Sequence, residues 1–199
     1  MSANIILASQ SEIRASLLRN AGLSIDTVPA RVDEETVKSA LLAEDATPHD
    51  IADTLAELKA QKVATKHPEA LVIGCDQVLD HKGKLFSKPQ TEEDAIAQLS
   101  MLSGSTHRLL SAAVIYHESR PVWRHVGAVR LTMRSLSPDY IRSYADRNWQ
   151  SIRSAVGSYK LEEEGSRLFA RIDGDYFVVL GLPLLEILSY LVLRGEIDG

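Results

Sequence analysis

The sequence contains a single cysteine, Cys75, and this scarcity excludes several kinds of site. One thiol cannot form a disulfide within the chain, and zinc or iron–sulfur sites built from several cysteines are excluded. A chain without disulfides suits a reducing compartment, so we expect a cytoplasmic location. Cys75 itself lies within an apolar run, where we expect an inert buried thiol rather than a nucleophile.

Long hydrophobic runs are also missing, so no membrane partner is expected. No apolar stretch approaches the roughly 20 residues that span a bilayer. The most apolar segment, Leu182 to Leu193, is interrupted by Pro183 and Glu186 and is expected to be a core helix. The first residues lack the basic segment and the length of apolar run that are typical of a signal peptide.

The chain has no excess of basic residues. It contains 22 Lys and Arg residues against 27 Asp and Glu residues, a formal net charge of −5, and 45% of its residues are hydrophobic. This composition is that of a globular protein, and it argues against a nucleic-acid polymer as a partner, because such binding usually needs a basic surface. The length of 199 residues suits one domain or two closely joined lobes.

Several well-known catalytic patterns are absent from the sequence. There is no Walker A loop, no G-x-G-x-x-G, no G-x-S-x-G and no H-x-x-x-H, so those nucleotide, hydrolase and zinc sites are not indicated. Two of the scattered histidines, His107 and His125, are expected on strand surfaces.

Periodicity and turn residues predict a mixed α/β sheet. Strand and helix patterns alternate at first, and a hairpin-rich portion follows. An acidic turn is predicted at Asp33-Glu34-Glu35. The predicted helices are about Ser11–Ala21, His49–Lys66, a helix capped by Thr91 that ends at Leu102, Ser137 to about Asn148, and Pro183–Arg194. The predicted strands are Asn4–Ala8, Ser24–Ala30, Ala70–Cys75, Thr106–Tyr116 and Val122–Met133, with strand-like segments at Ser154–Tyr159 and Arg167–Ile172.

The apolar run from Val72 is followed directly by a carboxylate, Asp76, and later by Lys88 before Pro89. A charge at the end of a buried strand needs a metal or a cationic partner. Carboxylates with phosphate oxygens are the ligands that divalent cations use in phosphate chemistry. The pattern therefore favours a metal and polyphosphate site, with an aspartate that caps a turn as the alternative.

Two further segments carry groups that suit phosphate. Ser9 and Ser11 lie where a strand meets a helix N-terminus, and Arg14 follows on that helix, an arrangement that favours an anion. Ordinary N-capping with a surface arginine is the alternative there. Lys59 lies among apolar residues of the long helix, either as an ammonium for the same phosphate site or as a surface lysine with its stem on the core.

These pieces resemble the motifs of the Maf family of nucleoside triphosphate pyrophosphatases, in the family's order and over nearly the whole chain. The matching motifs are Leu7-Ala8-Ser9-x-Ser11 with Arg14 and Leu17-Leu18, Val32-Asp33-Glu34, Leu55-Ala56-x-x-Lys59-Ala60, Ile73-Gly74-x-Asp76-Gln77-Val78, Lys88-Pro89, Leu102-Ser103-Gly104-x-Thr106-His107 and Gly181-Leu182-Pro183.

The resemblance implies a fold, an activity and a set of residue roles. The fold is an elongated mixed β-sheet flanked by helices, with two lobes around a cleft, in a single domain over residues 1–199 that is related to the inosine triphosphate pyrophosphatases. The activity is hydrolysis of a nucleoside triphosphate to the monophosphate and pyrophosphate with a divalent cation, Mg²⁺ or Mn²⁺, and a homodimer is a family-level expectation. Asp76 is the implied catalytic carboxylate, as proton acceptor or metal ligand, with Glu34 assisting the metal or the water. Ser9, Arg14, Lys59 and Lys88 are the implied ligands of the triphosphate.

A few further residues indicate which base the nucleotide substrate is expected to carry. Asp76-Gln77 and the segment Gly157-Ser158-Tyr159-Lys160-x-Glu162 are similar to the branch that acts on 7-methyl-GTP, and Glu162 is suited to the positively charged methylated guanine. Ile13 stands where the family has a residue linked to base selection. The alternatives are the branch that acts on dTTP and UTP, and a weakly hydrolytic nucleotide-binding regulator linked to cell division, which the Glu12-Ile13 pair would favour.

Overall fold

The computed structural model describes residues 4–199, and a mixed sheet runs through this part of the chain. Seven strands of the described residues belong to the sheet. They are β1 Ile5–Leu7, β2 Ile25–Thr27, β3 Leu71–His81, β4 Lys84–Phe86, β5 Thr106–His117, β6 Arg120–Met133 and β7 Phe169–Asp173. Their order in the sheet is β2-β1-β3-β5-β6-β7, with β4 beside β3. The predicted mixed α/β sheet flanked by helices is confirmed.

The helices account for most of the remaining chain. They are α1 Glu12–Asn20, α2 Glu34–Ala43, α3 Pro48–Ala64, α4 Glu92–Leu102, α5 Pro138–Ile152, α6 Tyr176–Val179 and α7 Leu184–Arg194, with a 3-10 helix at Glu164–Leu168. Within residues 4–199, none of these helices combines the length and the apolarity that a membrane span requires.

The chain divides into two compact units, and β3, β5 and β6 each contribute residues to both. Of the described residues, the first unit contains those from Asn4 to Gln77, together with Ser111–Gly127 and Tyr176–Gly199. The second unit contains Val78–Leu110 and Ala128–Asp175. A single domain over residues 1–199 stays a prediction.

The first unit is built on parallel strands with α3 against them. Strand β1 pairs in parallel with β2 and with β3, in a register that places Ile5 opposite Leu71. Helix α3 starts with a capping box between Thr47 and Asp50, which satisfies backbone N–H groups at its first turn. Its packing depends on Gly74 of β3, because an added Cβ there would lie 2.2 Å from the backbone oxygen of Ala56 on α3. Only glycine permits this approach of helix to strand.

In the second unit, β3 pairs antiparallel with β4, and β6 pairs antiparallel with β7. The β3–β4 turn has positive φ at Lys82 and Gly83, 56° and 84°, which suits the twist of a two-residue hairpin. The buried carboxylate of Asp80 accepts a hydrogen bond of 2.8 Å from the Gly83 N–H at Oδ1, and its Oδ2 accepts from both Nε and Nη2 of Arg108. Asp80 therefore has a structural role at this turn.

Three local predictions are wrong. Asp33-Glu34-Glu35 is not a turn but the start of α2, where the Asp33 side chain caps the helix by accepting from the Thr36 N–H. The segment Ser154–Tyr159 consists of turns rather than a strand, because Gly157 and Ser158 adopt left-handed φ angles of 80° and 60° that interrupt extended pairing. His107 is buried rather than on a strand surface, with 1% of its area exposed.

Candidate active site

A buried ion pair between Asp76 and Lys59 lies at the centre of the site in the first unit. Asp76 follows the buried run of β3 and is only 5% exposed, and Lys59 projects from the buried face of α3. The Lys59 ammonium donates a hydrogen bond of 2.6 Å to Asp76 Oδ1 and lies 2.8 Å from Glu34 Oε1. The alternative roles of surface lysine and turn-capping aspartate therefore do not apply, since the lysine is buried and β3 continues to His81.

The surroundings of Asp76 change its affinity for a proton. Burial raises the pKa of the Asp76 carboxyl above its usual range, and the Lys59 ammonium opposes that rise. Burial disfavours the charged carboxylate, whereas a cation within hydrogen-bond distance stabilises it. A carboxylate with a raised pKa is a stronger base than an exposed aspartate, which suits it to accept a proton from water.

Arg14 is held next to this pair by two backbone carbonyls. It lies in the first turns of α1, where its Nε donates to the Gly181 oxygen at 2.8 Å and its Nη1 donates to the Cys75 oxygen at 3.1 Å. Lys59 also approaches the Cys75 oxygen, at 3.5 Å. The guanidinium and the ammonium are therefore brought together by the carbonyl that precedes Asp76.

Gly181 shapes the position of Arg14. Its φ of 98° is in the left-handed region, and an added Cβ would lie 3.1 Å from both Nε and Nη2 of Arg14. The sequence motif Gly181-Leu182-Pro183 marks this position, but no local pattern indicates a contact with a residue 167 positions away in the chain. The contact between Arg14 and Gly181 was therefore not predicted from the sequence.

The serines precede α1 without closing a helix cap. Ser9 Oγ accepts a hydrogen bond of 3.1 Å from the Ser11 N–H, and Ser11 occupies the N-cap position without a side-chain cap bond. The ordinary capping role proposed as the alternative for Ser11 is therefore not made in this structure. Ile13 is half-buried on α1, directly before Arg14.

Gln77, the residue after Asp76, has a fixed amide. Its Nε2 lies within hydrogen-bond distance of the Val178 and Val179 oxygens, at 3.1 and 3.0 Å, and of Ser111 Oγ at 3.0 Å. Two carbonyl acceptors require the NH₂ group on this side, so the amide oxygen faces the opposite side. The Gln77 amide oxygen is thus a hydrogen-bond acceptor with a fixed orientation.

Cys75 is buried as predicted, with no exposed area. Burial raises the pKa of its thiol to about 11. Because the thiolate is the nucleophilic form, this thiol is inert at neutral pH.

Lys88 and Glu162 belong to the second unit. Both side chains are exposed, Lys88 in the segment between β4 and α4 and Glu162 in the turn before the 3-10 helix. The structure thus brings Glu34 and Asp76 into contact with Lys59, with Arg14 beside them. It places Lys88 and Glu162 on surfaces of the second unit.

Two carboxylates converge on the Lys59 ammonium. The carboxylates of Glu34 and Asp76 both lie within 2.8 Å of the Lys59 ammonium. Among residues 4–199, no three histidine, cysteine, aspartate or glutamate side chains form a metal-binding group. Two carboxylates suit a cation that takes its remaining ligands from phosphate and water, which is how Mg²⁺ is usually held.

Comparison with known proteins assigns the chain to a family. The family model described as Maf-like protein matches residues 4–193. The chain is 64% identical over 193 residues to the nucleoside triphosphate pyrophosphatase of Roseobacter denitrificans, covering 97% of each protein. It is 62% identical over 198 residues to the protein of the same name from Ruegeria pomeroyi, and 44% identical over 199 residues to the 7-methyl-GTP pyrophosphatase of Brucella abortus, covering 100% of each protein in both cases. The resemblance seen in the motifs is confirmed, and the chain belongs to the Maf family.

Proposed function

We propose that this protein hydrolyses a nucleoside triphosphate to the monophosphate and pyrophosphate. The observation that carries the proposal is the buried Asp76 carboxylate, held 2.6 Å from the Lys59 ammonium and next to Arg14. The names of the relatives from Roseobacter denitrificans and Ruegeria pomeroyi support the same activity.

The proposed roles follow from the charges that develop during the reaction. Water attacks the α-phosphate, the bond from the α-phosphorus to the bridging oxygen breaks, and the pyrophosphate leaves with that oxygen. Asp76 orients the water and accepts its proton. Arg14 and Lys59, with Ser9 and Lys88, bind the triphosphate and neutralise the charge on its oxygens, which is the main task of a protein in phosphate transfer.

A divalent cation, Mg²⁺ or Mn²⁺, is part of the proposal. Asp76 and Glu34 are the residues that would hold it, since their oxygens converge and a hard cation prefers such ligands. The bound cation would supply further charge neutralisation on the phosphate oxygens.

The favoured substrate is 7-methyl-GTP. The 44% identical relative from Brucella abortus carries that name, and the chain has Gln77 and Glu162 at the positions that suggested this branch. The amide oxygen of Gln77 and the exposed carboxylate of Glu162 are each of a chemical type that could accept from the N–H groups of a guanine edge. Ile13 is the third residue proposed to affect base preference.

The activity is tested with the purified full chain in Mg²⁺ or Mn²⁺. We expect pyrophosphate release from a panel of 7-methyl-GTP, GTP, dTTP, UTP and pseudo-UTP, with the highest kcat/KM for 7-methyl-GTP. Faster turnover of dTTP and UTP would assign the chain to the other branch. Tight binding without pyrophosphate release from any nucleotide would instead indicate that the protein is a nucleotide-binding regulator.

Base recognition is tested by Glu162→Gln. The substitution removes a charge-assisted acceptor while keeping the shape, and we expect kcat/KM for 7-methyl-GTP to fall about tenfold, with a smaller effect on dTTP. Steady-state kinetics on both nucleotides measure the change. The matched control is Glu163→Gln, because Glu163 is the adjacent carboxylate and bonds to Ser151 instead. Equal effects of the two substitutions, or no effect of Glu162→Gln, would contradict the assignment.

The proposal extends to the assembly and location of the protein. A homodimer is implied by the family resemblance, and a cytoplasmic location agrees with a single cysteine. Sedimentation equilibrium of the purified chain tests the first, and cell fractionation tests the second.

A further inference from the structure

The side chain of Gln98 joins two segments of the second unit that carry predicted substrate ligands. Gln98 is half-buried on α4. Its Nε2 donates a hydrogen bond of 2.9 Å to the Ser87 oxygen. Its Oε1 accepts bonds from the Gly157 N–H at 3.1 Å and from the Ser158 hydroxyl at 2.9 Å. One amide thus uses both its donor and its acceptor ends, on segments that are distant in sequence.

The donor end holds the segment of Lys88. Ser87 directly precedes Lys88, and Gln98 binds its carbonyl oxygen. The carbonyl oxygen of Lys88 accepts a second bond, 3.2 Å long, from Gln90 Nε2. The following Pro89 is buried and has a restricted φ. Hydrogen bonds therefore fix the backbone on both sides of the exposed lysine, so the orientation of the Lys88 side chain depends on Gln98.

The acceptor end, Gln98 Oε1, binds the segment of Glu162 at two residues with left-handed φ angles. Gly157 and Ser158 are both left-handed, with φ of 80° and 60°, and a serine adopts this conformation only at a cost in free energy. Ser158 has no exposed area, so its hydroxyl needs a partner inside the protein. Gln98 supplies that partner and also binds the adjacent backbone N–H.

The next residue along, Tyr159, is anchored separately. Its hydroxyl lies 2.7 Å from His107 Nε2 in the buried interior. Burial lowers the pKa of His107 to about 4, so its ring is neutral at pH 7 and forms a hydrogen bond with the tyrosine hydroxyl. The segment therefore has an independent anchor, and removing the Gln98 amide should shift Gly157 and Ser158 without unfolding the loop.

From these contacts we propose that Gln98 is a positioning residue, which fixes the Lys88 segment and the Gly157–Glu162 segment relative to each other. The two segments can then bind the triphosphate and the base of the same nucleotide. This inference rests on the proposed pyrophosphatase function. Gln98 acts through other residues, so its loss affects binding and discrimination more than the chemical step.

Two substitutions separate the two ends of the amide. Gln98→Met keeps the length and removes both ends, so we expect a KM for 7-methyl-GTP raised about tenfold, a kcat near the wild-type value and a reduced preference for 7-methyl-GTP over dTTP. Gln98→Glu keeps the acceptor for Gly157 and Ser158 but loses the donor to Ser87. This variant should raise KM while retaining the base preference. The control is Ala97→Met, which places the same side chain on the exposed face of the same helix and should change neither quantity.

Amide hydrogen exchange gives a readout that does not require turnover. In Gln98→Met, exchange should rise at residues 87, 88 and 90 and at residues 157–162, and in Gln98→Glu it should rise at residues 87, 88 and 90 alone. If wild-type protein releases no pyrophosphate but exchange follows this pattern, the proposed function fails and the linking role of Gln98 stands. Unchanged exchange in both segments overturns the inference. A lower Tm with KM and base preference unchanged overturns it too, since the residue would then be only structural.

Discussion

Asp76→Asn is expected to lower kcat for pyrophosphate release by about 10²–10⁴-fold, the usual contribution of a general base. Asparagine has nearly the same shape but cannot accept the proton of the attacking water. The protein should remain folded, because the Lys59 ammonium keeps Glu34 at 2.8 Å as a partner. Steady-state kinetics with the best nucleotide of the panel, together with thermal unfolding, measure both effects.

The matched control for this substitution lies four residues further along the same strand. Asp80 is as buried as Asp76, at 5% exposure, and it also accepts from a cation, but its partners are Arg108 and the β3–β4 turn. Asp80→Asn should lower Tm and leave kcat near the wild-type value. If the two variants turn over nucleotide equally fast, Asp76 is not the proton acceptor.

Gly74→Ala is expected to lower the free energy of unfolding by roughly 3 kcal/mol, at the upper end of overpacking effects. The new Cβ would lie 2.2 Å from the Ala56 oxygen and 2.5 Å from the Ala60 nitrogen, and these backbone atoms cannot turn aside as a side chain can. Helix α3 must move away from β3, and Lys59 moves with it. Tm should fall by roughly 6–12 °C for a chain of this size, and kcat should fall as well.

Ile73→Val is the control for the strand. It removes one methylene from the neighbouring fully buried residue and should cost only about 0.5–1.5 kcal/mol with little change in kcat. A Gly74→Ala variant as stable and as active as Ile73→Val would show that the approach of α3 to β3 is not needed to place Lys59.

The sequence predicted most elements of the fold because local signals mark them. The helix after Thr91 begins at the predicted cap, since a threonine with an acidic residue three positions later forms a capping box, here with Asp94. The hairpin of β5 and β6 was predicted within a few residues. The turns at Ser154–Tyr159 were missed because Ser158 adopts a left-handed φ of 60° that a serine rarely has, and the partner that supports it, Gln98, lies far away in sequence.

Three of the predicted site residues are neighbours in the structure, but the sequence did not indicate their contacts, and their roles stay predictions. Motifs indicated that Glu34, Lys59 and Asp76 act together, and the structure places both carboxylates within hydrogen-bond distance of the Lys59 ammonium. The carbonyls that orient Arg14 have no sequence signature, because a backbone oxygen is present at every residue. The same applies to Gln98, a polar residue on an amphipathic helix that periodicity assigns to the half-exposed side.

The burial of Cys75 makes the chain suitable for thiol labelling. Its only cysteine has no exposed area and a pKa raised to about 11, so electrophilic reagents that react with thiolates find no target on the folded surface. A cysteine introduced at an exposed position, such as Leu193 at 86% exposure, would carry a probe without removal of the native thiol. The native thiol can itself report local unfolding, because we expect it to react only when β3 separates from its neighbours. Its rate of modification measures the opening of the strand that carries Asp76.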